Sequence, residues 1–247
     1  MGAVNVIQDR RRVIVALDFD SEPAARRIVD AVAPSNCRLK VGKELFTRTG
    51  PAFVEYLVDL GFDVFLDLKF HDIPHTVERA CRAAAELGVW MVNVHTLGGR
   101  RMLEAAVDGI KGSVHAPILI GVTILTSMDE QDLAEVGLPG KPIDYVLRLT
   151  QLASDTGLDG VVCSAREAME LRQLISNDFY LITPGIRLQG DRADDQRRIM
   201  TPAAAIGSGS DFLVIGRPVT AAPDPGRALE KINIEIQNAL GDATGID

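Results

Sequence analysis

The chain has 247 residues, 47% of them hydrophobic, which is enough apolar material for one large core at the length where α/β barrels commonly form a single domain. Its formal net charge is −8, from 26 Lys and Arg against 34 Asp and Glu. That balance excludes a general nucleic-acid or anionic-membrane binder, since either needs a basic surface.

The polar stretch 1–12 lacks the apolar core of a secretory signal, and Val6 stands where a myristoylation motif wants Ser or Thr. It reads as a tail. Val13-Ile14-Val15-Ala16-Leu17-Asp18 is then an apolar run ending in an acid, followed by a helix from Glu22 to about Ala33 that Ser21 can cap. A second strand spans Arg38 to Lys43, and a helix runs from Pro51 to about Leu60. The third strand, Asp63 to Phe70, is followed by a helix from Ile73 to about Leu87 that stops at Gly88. Met91 to His95 is the fourth strand, and its helix carries Met102, Leu103, Ala106 and Ile110. Pro117 to Leu125 is the fifth, with a longer connection over Asp129 to Val136 and a helix from Ile143 to about Thr156. Gly160 to Ser164, Tyr180 to Thr183 and Phe212 to Arg217 complete eight strands. Helices follow over Arg166 to Ile175 and over Pro225 to Leu240.

Eight buried strands alternating with helices in roughly 250 residues are the pattern of a (β/α)₈ TIM barrel, here a single domain over 13–240 with a short tail at 241–247. A doubly wound open sheet is the competing architecture, but it usually needs fewer, longer crossovers. No apolar run approaches the length of a membrane span. Cys37, Cys81 and Cys163 are far apart and form no CxxC pair, so neither a disulfide framework nor a zinc site is indicated, and a cytoplasmic location fits.

The third strand carries the chemistry. Alternation puts Val64, Leu66, Leu68 and Phe70 on one face and Phe65, Asp67 and Lys69 on the other. An acid and a lysine therefore sit side by side at the carboxyl end of a buried strand, with Asp72 just beyond. Charges so placed cost several kcal/mol each to desolvate unless paired or used. A structural ion pair closing the strand is the plain reading, and Asp72 can equally cap the helix that follows.

In such barrels the active site lies at the strands' carboxyl ends. Those ends collect Asp18, Lys40 to Lys43, Asp67, Lys69, His95, Thr96, Thr123 to Thr126, Ser164, Arg187 and Arg217. Pro184-Gly185-Ile186-Arg187 and Ile215-Gly216-Arg217-Pro218 stand where the last two loops often hold a phosphate, and Arg suits bidentate phosphate recognition. His71 and His75 are four apart, but Pro74 lies between them and no Glu follows the first, so a metal pair is disfavoured. His95 reads as an interior or rim histidine, not a metal ligand.

These segments together resemble the orotidine 5′-phosphate decarboxylase family in its bacterial form. The resemblance rests on Val15 to Asp18, Arg38 to Lys43, Leu66-Asp67-Leu68-Lys69-Phe70-His71-Asp72-Ile73-Pro74 with Thr76, Val122 to Met128, Thr183 to Arg187, Asp195 to Pro202 and Gly216 to Pro218. It covers nearly the whole chain in order, and its D-x-K-x-x-D-I-P segment is highly specific. His75 and Leu188 stand at positions expected to vary.

The resemblance implies decarboxylation of orotidine 5′-phosphate to UMP, the last step of de novo pyrimidine nucleotide synthesis, with no metal and no organic cofactor. It implies a charged row of Lys40, Asp67, Lys69 and Asp72, in which Lys69 protonates the ring carbon that loses CO₂. It also implies a homodimer in which Asp72, with Ile73 and Thr76, reaches the partner's site. Asp18 and Lys40 would hold the ribose hydroxyls and Thr126 would meet the pyrimidine or its closing loop. Arg187, Gln196, Gly216 and Arg217 would serve the phosphate, with Gln189 an alternative to Gln196. The rival readings are a Mg²⁺-dependent sugar-phosphate decarboxylase or epimerase on the same barrel, a Schiff-base aldolase using Lys69, and a non-catalytic nucleotide-binding protein.

Overall fold

The computed structural model describes residues 11–188 and 200–243. Eight parallel strands close on themselves in sequence order, β1 pairing with β2 on one side and with β8 on the other. In chain order they are β1 (Val13–Ala16), β2 (Arg38–Gly42), β3 (Val64–Phe70), β4 (Met91–His95), β5 (Ile118–Val122), β6 (Gly160–Val162), β7 (Tyr180–Thr183) and β8 (Phe212–Ile215). The helices between them begin with α1 (Glu22–Val29), α2 (Lys43–Thr49), α3 (Pro51–Asp59), α4 (Pro74–Glu86) and α5 (Arg100–Ile110). They continue with α6 (Glu130–Glu135), α7 (Pro142–Asp155), α8 (Ala165–Leu174), α9 (Pro202–Gly207), α10 (Arg217–Thr220) and α11 (Pro225–Ala243). The expected (β/α)₈ barrel is the observed fold.

Alternation along each strand divides the apolar residues into two cores. Val13, Val15, Leu39, Val41, Val64, Leu66, Val92 and Val94 point outward into a large layer shared with the helices. Ile14, Phe65, Met91, Ile120, Ile182 and Phe212 point inward and fill the barrel. Fully burying side chains of this size stabilises by about 1.5–3 kcal/mol each. All three cysteine thiols are free and buried in the outer layer. Burial pushes Cys37 and Cys81 up to about 12 and raises Cys163 as well.

The structure differs from the sequence reading at several element ends. Lys43 starts α2 instead of ending β2, and α9 and α10 are additional short helices that open with proline in the first turn. Ser21 occupies the N-cap of α1 in extended geometry without a side-chain capping bond; Pro23 in the first turn and the Glu22–Arg26 ion pair at 2.6 Å support that helix instead. Asp129, by contrast, makes a full capping box with Asp132 on α6. No helix among the described residues is long and apolar enough to cross a membrane.

The amino-terminal end of the barrel is closed by a cation. Arg38 is 2% exposed, with its guanidinium carbon 4.2 Å from the Trp90 ring centre and 5.0 Å from that of Phe212. Its Nε lies 3.2 Å from Asp63 and its Nη1 donates to the Arg11 carbonyl. Trp90 and Tyr180 both pack edge-on against Phe212, which seals this end.

Candidate active site

The opposite, carboxyl-terminal end holds a cavity of about 610 Å³, within the range of small-molecule sites. Phe65, Ile182, Val162 and Val214 form apolar parts of its lining. Asp18, Lys40, Asp67 and Lys69 line it from β1 to β3, and Thr126 lines it beyond β5. Pro184, Gly185, Arg187, Gly216 and Arg217 line it at β7 and β8.

The four ions alternate in sign and touch in series. Lys40 Nζ is 2.9 Å from Asp18 Oδ1 and 3.2 Å from Asp67 Oδ2, and Lys69 Nζ donates to Asp67 Oδ1 at 2.5 Å. Lys40 and Asp67 are 7% and 9% exposed, whereas the Asp18 side chain is 66% exposed. Burial pushes the Asp67 carboxyl up, but the Lys40 and Lys69 ammonium groups outweigh it and hold the acid below its ordinary value. Burial likewise pulls Lys40 down, and Asp67 and Asp18 more than restore it. Lys40 and Asp67, the two buried ions, each cost several kcal/mol to desolvate, while a contact returns about 4 kcal/mol at an effective dielectric of about 20. Such a row comes close to breaking even, so stability alone does not explain it. Gly42 leaves it room: a Cβ there would lie 3.2 Å from Lys40 Nζ and 3.3 Å from Asp18 Oδ1.

The backbone under Lys69 is unusual. Its φ is +53°, the left-handed region, and among described residues it is the one non-glycine with a positive φ. Such a conformation costs roughly 1 to 3 kcal/mol. The cause lies in the β3–β4 ladder, where Leu66 pairs with Val92 and Phe70 with Val94. Three residues of β3 thus face one, Asn93, on β4. Asn93 is fully buried, and its side chain replaces the missing main-chain ladder. Oδ1 accepts from Lys69 N at 2.7 Å, and Nδ2 donates to Asp67 Oδ1 at 2.7 Å. The alternation read from sequence survives the irregularity, because Phe65, Asp67 and Lys69 all still face the cavity.

Asn93 was not among the sequence candidates. Its signal is a lone carboxamide in the apolar run Met91-Val92-Asn93-Val94, a group that burial obliges to find partners.

Not every expected residue joins the cavity. Asp72, Ile73 and Thr76 are exposed where α4 begins, outside the cavity of their own chain, and Ile73 is 66% exposed. Asp72 Oδ1 accepts from Ile73 N at 2.6 Å, but the α4 N-cap is Ile73, with no side-chain capping bond. Thr96 and Thr123 spend their hydroxyls on the carbonyls of Val122 and Val162. His95 lies outside the cavity lining, its ring 5.5 Å from that of His71. Burial, then His71, Lys43 and Lys69, pull it down to about 4, so it is neutral at pH 7. Arg187 is 8% exposed, its Nη1 bonded to the Ile186 carbonyl and its own N–H to that of Met200. Thr220 is a lining residue that the sequence reading missed. Gln196 and Gln189 lie outside the described residues.

Comparison with known proteins places this geometry. The family model described as Orotidine 5′-phosphate decarboxylase / HUMPS family matches residues 11–232. An orotidine 5′-phosphate decarboxylase of Hydrogenovibrio crunogenus is 57% identical over 230 residues, 93% of this chain and 98% of that one. One of Chromobacterium violaceum is 58% identical over 229 residues, 93% of each chain. The crystal structure of orotidine 5′-phosphate decarboxylase from Lactobacillus acidophilus superposes with a TM-score of 0.82 at 39% identity, covering 92% of this chain and 99% of that one.

Proposed function

The chain belongs to the orotidine 5′-phosphate decarboxylase / HUMPS family, and from that premise we propose how its cavity turns orotidine 5′-phosphate into UMP. One observation carries the reading: Lys40, Asp67 and Lys69 alternate in contact on the wall of a cavity that Arg187 and Arg217 also line.

Breaking the bond from the ring carbon to the carboxylate leaves an electron pair in that carbon's sp² orbital, with no ring substituent to accept it. Catalysis must therefore come from charges fixed in place before reaction. Lys69 places its ammonium beside that carbon, stabilises the developing carbanion and delivers the proton that replaces CO₂. Asp67 faces the substrate carboxylate, a repulsion that vanishes as neutral CO₂ departs. Lys40 keeps Asp67 ionised and, with Asp18, holds the ribose hydroxyls, while Thr126 meets the pyrimidine. Arg187, Arg217 and the backbone at Gly216 take the phosphate, as would Gln196. That remote binding orients the reacting carbon over Lys69.

A homodimer completes the site. The exposed Asp72, Ile73 and Thr76 would enter the partner's cavity and set a second acid beside its Lys69. Buried free thiols agree with a cytoplasmic enzyme.

The ultraviolet change on conversion of orotidine 5′-phosphate to UMP, run in excess chelator, tests the whole. Undiminished turnover is expected. Turnover that chelation abolishes would favour a Mg²⁺-dependent sugar-phosphate lyase, and no turnover at all a nucleotide-binding protein.

A further inference from the structure

We propose that Asn93 is a positioning residue of this site: one end of its carboxamide holds the left-handed turn that aims Lys69, and the other fixes the Asp67 carboxylate. The inference rests on the decarboxylase reading for its catalytic meaning, but its geometry stands independently.

Asn93 occurs within a barrel strand of otherwise apolar buried residues, itself fully buried and absent from the cavity lining. It cannot touch a substrate there, so any effect on the reaction passes through its neighbours. Its orientation is dictated by those neighbours. Lys69 N–H is a donor and needs Oδ1, whereas the ionised Asp67 is an acceptor and needs the Nδ2 protons. Aspartate at 93 could serve Lys69 but would set a second anion against Asp67. Alanine or leucine would leave the Lys69 N–H without its acceptor and strip Asp67 of its one amide donor, leaving only the two ammonium groups of Lys40 and Lys69 to hold it.

The register explains why a side chain is needed at all. From Leu66 to Phe70 the chain takes four steps while the facing strand takes two, from Val92 to Val94. The excess at Asp67, Leu68 and Lys69 has no main-chain ladder opposite, and the amide of Asn93 occupies that gap. The two residues it holds are the ion pair joined at 2.5 Å. A change at this position therefore reaches both ions at once.

Three measurements test it. In the intact wild-type protein the Lys69 amide hydrogen should exchange about 100-fold more slowly than in an unstructured peptide of the same sequence. Exchange at the peptide rate overturns the proposal without requiring any variant to fold. Asn93→Ala should lower kcat about 100-fold, as a slight misplacement of a reacting group does, with KM changed much less. Asn93→Asp keeps the acceptor for Lys69 but should move the acid limb of kcat upward by about one pH unit, through repulsion at Asp67. Variants that fold and keep wild-type kcat and acid limb overturn the role of Asn93 alone. Absent wild-type turnover overturns the decarboxylase reading instead, and amide exchange then still decides whether Asn93 holds Lys69.

Discussion

Two cations stand two residues apart on β2, both facing the barrel interior, and they meet opposite surroundings. Arg38, at the amino end, is enclosed by Trp90, Phe212, Asp63 and the Arg11 carbonyl. Lys40, toward the carboxyl end, meets Asp18 and Asp67 and lines the cavity. Both are almost fully buried, at 2% and 7% exposure. Burial of charge therefore does not mark function in this barrel; what the charge faces does. At one end protein groups occupy the surroundings of the guanidinium, and the charge is spent on packing. At the other the ions share a wall with space for a small molecule.

The sharpest way to break this contrast is at Lys69. Lys69→Ala should lower turnover by about 10⁴-fold or more, since in the proposed mechanism it removes both an electrostatic stabiliser and the proton donor, and the ultraviolet assay reads it directly. Thermal unfolding should show a folded barrel. Near-normal turnover would make the carboxyl-end ions as structural as Arg38. Next comes Asp67→Asn, which keeps shape and deletes the charge between two ammonium groups. A loss of about 10²–10³-fold in kcat is expected, comparable to removal of one preorganised group elsewhere.

The opposite end should respond in the opposite currency. Arg38→Ala is expected to cost about 3–5 kcal/mol in denaturant unfolding, by leaving Asp63 with a weaker partner set and a void between two rings. Turnover of the folded variant should be unchanged. A loss of activity without loss of stability would erase the distinction between the two ends.

The smallest effect concerns His95, which meets its desolvation cost by staying neutral instead of pairing. Its folded-state value is lowered from 6.5 to about 4, while the unfolded chain takes up a proton near 6.5. Stability should therefore fall as pH drops from about 6.5 to about 4 and then level off at this residue. His95→Asn should flatten that part of the profile, read as urea midpoints against pH.

Much of this is legible in the amino-acid sequence itself. The apolar runs placed all eight strands, and period-two alternation put Asp67 and Lys69 on the cavity face, because a strand side chain has only two directions available. What alternation does not encode is slack between neighbouring strands. The two extra residues of β3, the positive φ at Lys69 and the role of Asn93 all follow from pairing with β4, a non-local property. The short helices α2, α9 and α10 escaped for a related reason: at four to seven residues they have little periodicity to reveal them. Arg38 went unremarked because its aromatic partners lie 52 and 174 residues further along the chain.

The three sulfhydryls buried behind the sheet have a practical corollary. Cys37 precedes β2, Cys81 lies in α4 and Cys163 follows β6, so they mark separate sectors of the outer shell. With their protons held so firmly, none should react with iodoacetamide while its sector stays shut. The order in which the three become labelled under mild denaturant would thus chart which part of the wall gives way first, with no probe added to the protein.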